Sequence, residues 1–396
     1  MTSAPDWPRG FTSGGISAGI KKHDVPDLAL IVGDATLTAA AMFTTNLVCA
    51  APVQLSKANL AASSGRVNAL VINSGCANAA TGTEGSARAL RVTRALAAHL
   101  NVDPIAILTN STGVIGVQLP ADRIEHTVPP LVASLRPGSC ESFARAIMTT
   151  DTRPKWASRT IRWTDGSVEH SCTVTGVAKG AGMIHPNMAT MIAVIATDAP
   201  CTPLELDRHL RCAVEGSFHR ISVDGDTSTN DSIFALASGV AAAPPATQLA
   251  QAFNDVAREL ALMVVRDGEG FERGIEVRVH EARTQEDALK VARTIAMSLL
   301  VRTAITGGDP NWGRILAAAG RAGVTFDPNA LRVCAGGIEL FARGSPLATD
   351  LAAVRRAFTS DTVVIDVYLA TADASDHFYS CGLTKRYVEI NADYTT

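Results

Sequence analysis

The chain contains no run of about 20 apolar residues, the length a bilayer-crossing helix needs. Its first residues, MTSAPDWPRGFTSGG, also lack the basic region and apolar core of a secretory signal. A cytoplasmic protein with no membrane partner is therefore expected. The eight cysteines, at 49, 76, 140, 172, 201, 212, 334 and 381, include no C-x-x-C pair, so neither a zinc ribbon nor a disulfide framework is indicated. They read as reduced core residues. Nine histidines occur without H-E-x-x-H or other ligand spacing, which leaves metal catalysis unsupported. The 35 basic residues are dispersed in a chain of net charge −3, so the electrostatic footprint of a nucleic-acid binder is missing. Gly180-Ala181-Gly182 lacks the third glycine and acidic partner of a dinucleotide fingerprint. It reads as a permissive turn, and no nicotinamide cofactor is implied.

What is present suffices for a large core. At 396 residues, 47% of them hydrophobic, the chain exceeds the size at which one core keeps growing, so two or three domains are expected. Ala69 to Asn73 and Ile105 to Thr109 read as short buried strands, with helical spacing from Glu84 to Leu100 between them. Met188 to Ala196 reads as another buried strand. Thr202-Pro203-Leu204-Glu205 has the form of a capping box, opening a helix to about Gly216. Further helices are expected over Thr247 to Asp267 and from Thr284 towards Leu300, and strands over Gly274 to His280 and Asp361 to Ala370. A domain boundary is placed near Ala282.

One threonine carries the most chemistry. In KGAGMIHPNMATMIAVIATD, Lys179 to Asp198, Thr190 sits in an apolar run behind a glycine-rich polar loop. Ala189 before it is small, leaving that carbonyl open to a neighbouring oxygen nucleophile. Scission of Ala189–Thr190 would give Thr190 a free α-amine with an unperturbed pKa of about 7.7–8.0, able to act as its own general base. One residue would then be nucleophile and base together. Taken alone, a Thr in a buried strand is a strand former and nothing more. Other motifs carry similar ambiguity. Gly15-Ile16-Ser17-Ala18-Gly19 matches the nucleophile elbow but shows neither a strand before it nor a helix after it, so a catalytic Ser17 is discounted. Asn110 to Gly116 offers a hydroxyl and a flexible N–H at adjacent residues, suited to an oxyanion hole. By itself it reads as a strand-to-helix turn with a capping Ser or Thr. Asp267 to Gly270 alone is a helix C-cap, and Gly308 to Arg314 alone is a tight loop before a helix.

In this order, the segments resemble the ornithine acetyltransferase family, the bifunctional glutamate/ornithine N-acetyltransferases of arginine biosynthesis. The resemblance runs through NSGCANAATG at 73–82, STGVIG at 111–116, AIMTTDTRPK at 146–155 and KGAGMIHPNMATM. It continues through SFHRISVDGDTSTND at 217–231, DGEG at 267–270, GDPNWGR at 308–314 and the terminal NADYTT. It implies an α+β fold of the self-processing N-terminal-nucleophile type, a layered α/β/β/α sandwich with a smaller C-terminal α/β domain. It implies a precursor cut at Ala189–Thr190 into an α chain, 1–189, and a β chain, 190–396, associated as α2β2. Residues 190–282 would complete the main domain and 283–396 form the smaller one. Thr190 would carry the acyl group, Thr112 and Gly113 would form the oxyanion hole, and Thr149, Lys179, Glu269, Asn391 and Thr396 would line the substrate pocket with Thr190. The implied reaction moves acetyl from N2-acetylornithine to glutamate by a ping-pong route without metal or redox cofactor. Acetyl-CoA as a second donor is left open. Arg302 stands where lysine is common in the family and Ala80 where cysteine is usual.

Two other readings compete: a related N-terminal-nucleophile amidohydrolase or aminopeptidase handing the acyl group to water, and a paralogue of specialised metabolism with another acyl acceptor. A non-catalytic protein is disfavoured by the presence of Thr190, Thr112 and Lys179.

Overall fold

The computed structural model describes residues 3–185 and 191–393, so the Ala189–Thr190 bond and Thr396 lie outside the described residues. The chain is a mixed α+β protein with two sheets, one in each of two compact units. The first unit holds residues up to His219 together with Asp226–Val264, and the second holds Arg220–Gly225 and the chain from Val265 onwards.

The strands of the first unit are β1 (Phe11–Ile16), β2 (Leu28–Phe43), β3 (Arg66–Cys76), β4 (Ile107–Val114), β5 (Lys155–Asp165), β6 (Val168–Lys179), β7 (Ile192–Thr197) and β8 (Ser232–Ala237). Its helices are α1 (Ala51–Ala62), α2 (Gly82–Leu100), α3 (Ala121–Ser134), α4 (Glu141–Ala146), α5 (Pro203–Glu215) and α6 (Ala246–Val265), the last ending at the division between units. The strands form one sheet in the order β4-β3-β2-β8-β7-β6-β5, with β1 also paired to β2. Two neighbouring pairs, β3 with β4 and β7 with β8, are parallel. Parallel neighbours need a crossover, and α2 and α5 lie in those connections. Alternation along β2 supplies two cores. Leu28 and Leu30 join Val71, Leu96, Ile124 and Leu131, whereas Ala29 and Ile31 join Leu70, Phe143, Val194 and Phe234. Successive strand side chains point to opposite faces, so one strand buried on both sides serves both layers.

Thr202 caps α5 as expected: its side chain accepts from the Glu205 N–H, and the Glu205 carboxylate accepts in return from the Thr202 N–H. A strand, β1, does precede Ser17, contrary to the sequence reading, but the element that follows is β2 rather than a helix. The elbow therefore remains incomplete. All eight cysteines are free thiols.

The second unit contains β9 (Gly274–Ala282), α7 (Gln285–Ala296), α8 (Leu299–Thr306), α9 (Trp312–Gly320), β10 (Arg332–Ala335), β11 (Ile338–Ala342), β12 (Ser345–Pro346), α10 (Leu351–Phe358), β13 (Thr362–Tyr368), β14 (Ala374–Cys381) and α11 (Lys385–Asp393). Its sheet runs β12-β11-β10-β13-β9-β14. Val277, Val291, Ile295, Ile305, Ile315, Val333, Ile365 and Phe378 fill the core between sheet and helices. A buried ion pair, Arg220 to Asp376 with both hydrogen bonds at 3.0 Å, ties the 220–225 segment to β14. Two sequence expectations change here. The division falls at Val265 rather than near Ala282, because β9 lies inside the second sheet between β13 and β14. The helix expected from Thr284 towards Leu300 is two helices, since Ser298 leaves the helical conformation and its side chain accepts from the Val301 N–H to start α8.

Candidate functional site

Thr112 and Gly113 lie near the end of β4, which stays extended to Val114, and the next helix opens only at Ala121. The strand-to-helix turn read from the sequence is therefore not formed there. Parallel pairing with β3 places Gly113 opposite Gly75. Gly113 has φ +131°, and a Cβ on it would overlap the Gly75 backbone, so the two strands close together here only because position 113 lacks a side chain. The Thr112 side chain, beside this contact, is buried.

Lys179 ends β6 and is also buried, with its Nζ donating to Thr112 Oγ1 at 3.0 Å. Next to it stands Asp151, in the segment between α4 and β5. Its Oδ1 accepts from Lys155 Nζ at 2.6 Å and from the Gly180 N–H at 2.7 Å, and its Oδ2 accepts from the Thr149 N–H at 2.9 Å. Burial alone would raise the Asp151 pKa, but the Lys155 charge, then that of Lys179, together with the Gly180 hydrogen bond, hold it down at about 2. Asp151 is therefore an anion at neutral pH. Lys155 is buried too, with 1% of its side chain exposed, so the pair is shielded from water. Three residues expected at the site, Thr112, Thr149 and Lys179, are thus brought together, and Asp151 and Lys155 are additions the sequence reading missed. Both sat in AIMTTDTRPK, but four-residue spacing signals a pair only on a helix, and this stretch is not helical.

A second buried carboxyl, Asp231, faces the backbone of Met191. Asp231 Oδ1 accepts from the Met191 N–H at 2.8 Å and Oδ2 from the Ser228 N–H at 3.2 Å. Burial pushes its pKa well above the usual carboxylate range, against the opposing pull of those hydrogen bonds and of Lys179. Around it, Asn230 Nδ2 donates to the carbonyls of Ala77 and Ser111, and Asn110 Nδ2 donates to the Asn230 carbonyl. These amides fix the start of β8 against the end of β4. Of the expected catalytic residues, Ala189 and Thr190 lie outside the described residues, and so does Thr396 of the expected pocket.

Within the C-terminal unit, Glu269 and Asn391 do meet: Asn391 Nδ2 donates to Glu269 Oε2 at 2.9 Å. The contact follows from how α11 sits on the 268–270 turn, where Thr384 Oγ1 donates to the Gly270 carbonyl and a Cβ on Gly270 would strike the Tyr387 backbone. Arg302 is a buried tie in the same unit, its guanidinium donating to the carbonyls of Cys381 and Val223. Among the described residues, no three His, Cys, Asp or Glu side chains are grouped so as to hold a metal ion, and no helix is long and apolar enough to cross a membrane.

The α+β fold and the buried ammonium, hydroxyl and carboxylate cluster at its sheet ends define a protein built to keep ionic chemistry away from water. Comparison with known proteins gives the family. Residues 12–396 match the ArgJ family, and the chain belongs to it. It is 43% identical over 410 residues to the arginine biosynthesis bifunctional protein ArgJ of Thermosynechococcus vestitus, spanning 98% of this chain and 97% of that protein. It is 44% identical over 399 residues to the protein of the same name from Dehalococcoides mccartyi, spanning 98% and 96%.

Proposed function

We propose that this chain is the glutamate N-acetyltransferase of arginine biosynthesis, moving acetyl from N2-acetylornithine to glutamate through an ester on Thr190. Membership of the ArgJ family over almost the whole chain supports the reaction. The observation that carries the site is the buried Lys179 to Thr112 contact, because an ammonium donating to the hydroxyl oxygen leaves the hydroxyl hydrogen to donate elsewhere. A donor polarised in this way, away from water, is suited to a developing oxyanion.

In this reading, scission at Ala189–Thr190 frees the Thr190 amine, which takes the proton from the Thr190 hydroxyl as its oxygen attacks the acetyl carbonyl. Thr112 Oγ1 and the Gly113 N–H hold the oxyanion. Collapse breaks the amide bond, ornithine leaves with the proton on its amine, and an acetyl-threonine ester remains. The amine of glutamate then attacks that ester, and N-acetylglutamate departs as the Thr190 hydroxyl is restored. Thr149, Lys179, Glu269, Asn391 and Thr396 bind the amino-acid portions, whose carboxylate and ammonium groups need charged partners once desolvated. The reading calls for no metal or redox cofactor, admits acetyl-CoA as a second donor, and takes the working form to be a cytoplasmic α2β2 assembly.

Purified protein incubated with N2-acetylornithine, with and without glutamate, tests this. Ornithine release should depend on glutamate, with N-acetylglutamate formed in equal amount, and intact mass should show two chains divided before Thr190. Glutamate-independent release of ornithine and acetate would make the protein a hydrolase instead.

A further inference from the structure

We propose that Asp151 is a positioning residue for amino-acid binding: one carboxylate fixes the two segments that bear Thr149 and Lys179, with Lys155 as its buried counter-charge. The inference rests on the proposed function for the roles of Thr149 and Lys179, and on geometry for everything else. Three donors from three places in the chain converge on Asp151, namely the Thr149 N–H, the Gly180 N–H and Lys155 Nζ. Two of the three belong to, or directly follow, a residue expected in the pocket. Lys155 stands at the start of β5, and Gly180 follows the last residue of β6. The carboxylate therefore locks the ends of two paired strands to the loop that precedes them.

Stability alone does not explain such an arrangement. A buried ion pair is roughly neutral in stability against an apolar pair of the same volume, because the desolvation of both ions offsets their attraction. What Leu or Met could not supply is the set of acceptor bonds to the backbone at 149 and 180. Gly180 adopts φ +152°, so its N–H is aimed by a backbone conformation that side-chain-bearing residues seldom take. The charges add a second consequence. Lys155, Lys179 and Asp151 are all buried, so their charges act on one another with little screening by water. With Lys155 engaged at 2.6 Å, the Asp151 charge is met without drawing Lys179 off Thr112.

The test compares wild-type protein with Asp151→Asn/Lys155→Met and with Asp151→Glu. The double variant removes both buried charges together, and its amide offers one acceptor oxygen where the carboxylate offered two. It should unfold cooperatively near the wild-type temperature while KM for N2-acetylornithine and for glutamate each rises about tenfold and kcat changes far less. Asp151→Glu keeps the ion pair but displaces the carboxylate by one methylene, and it should raise both KM values in the same way. KM values within about twofold of wild type in a folded variant would overturn the inference, and so would failure of both variants to fold, which would assign Asp151 to stability alone. Wild-type protein without glutamate-dependent transfer would instead defeat the functional reading, so the two failures are distinct.

Discussion

Asp151 and Asp231 are both withdrawn from water, yet their proton affinities move in opposite directions. Asp151 meets ammonium groups and titrates at about 2 in the folded protein. Its unfolded value is about 3.9, so the fold is about 2–3 kcal/mol more stable above about pH 4 than in strong acid, a difference lost as pH falls towards 2. Among the described residues, Asp231 accepts from the N–H groups of Met191 and Ser228, and burial raises its pKa. Its contribution has the opposite sign, being present below about pH 4 and lost as pH rises through the raised folded value. Asp231→Asn, which cannot ionise, should therefore gain stability relative to wild type as pH increases, as measured by urea unfolding at a series of pH values. A difference that stays constant with pH would contradict this. The contrast also shows what a sequence conceals at this scale. Thr112, Lys179 and Asp231 all stand in distinctive strings, but nothing local to Asp231, in a stretch dense with turn formers, announces that it will be buried against Met191. A carboxylate's environment is assembled by strands far apart in the chain.

Among the elements, those governed by neighbours within four residues were legible. The capping box at Thr202 was readable because both of its bonds span three residues, and α5 begins where that box requires. Thr202→Ala should cost about 1 kcal/mol in chemical unfolding and leave transfer activity unchanged, since the residue lies on an exposed helix end. A loss below the error of the measurement would mean that the rest of α5 determines its own start. The break between α7 and α8 is the exception: the Ser298 cap also spans three residues, but apolar spacing continues through it and conceals the interruption. The end of β4 misled in the other direction. Asn110 and Gly113 are poor strand formers by propensity, but β3 offers a parallel ladder from Asn73 to Gly75, and pairing overrides propensity.

At the scale of the whole molecule, the two units are each closed by contacts between distant segments. Arg220 and Asp376 lie 156 residues apart and are both largely buried, so Asp376→Ala would strip a guanidinium inside the C-terminal unit of both hydrogen bonds to that carboxylate. A destabilisation of about 3–5 kcal/mol is expected in thermal or denaturant unfolding, and a change under about 1 kcal/mol would contradict it. The same long separations explain why the domain boundary was misplaced. β9 pairs with β13, which the chain reaches only after α7 to α10 and β10 to β12, and no local pattern reports that partnership.

The order of the first sheet has a consequence for a severed backbone. β7 and β8 come after residue 190 in the chain, yet they are laid between β2 and β6, which come before it. Each flank is laced to its neighbour across six residue pairs, Thr38 to Phe43 against β8 and Val174 to Lys179 against β7. Two polypeptides made by a cut after Ala189 would be dovetailed in one sheet, parting only if both seams were torn. Neither fragment would then be a free-standing subunit, and the break could release a new amine terminus while the architecture stayed whole.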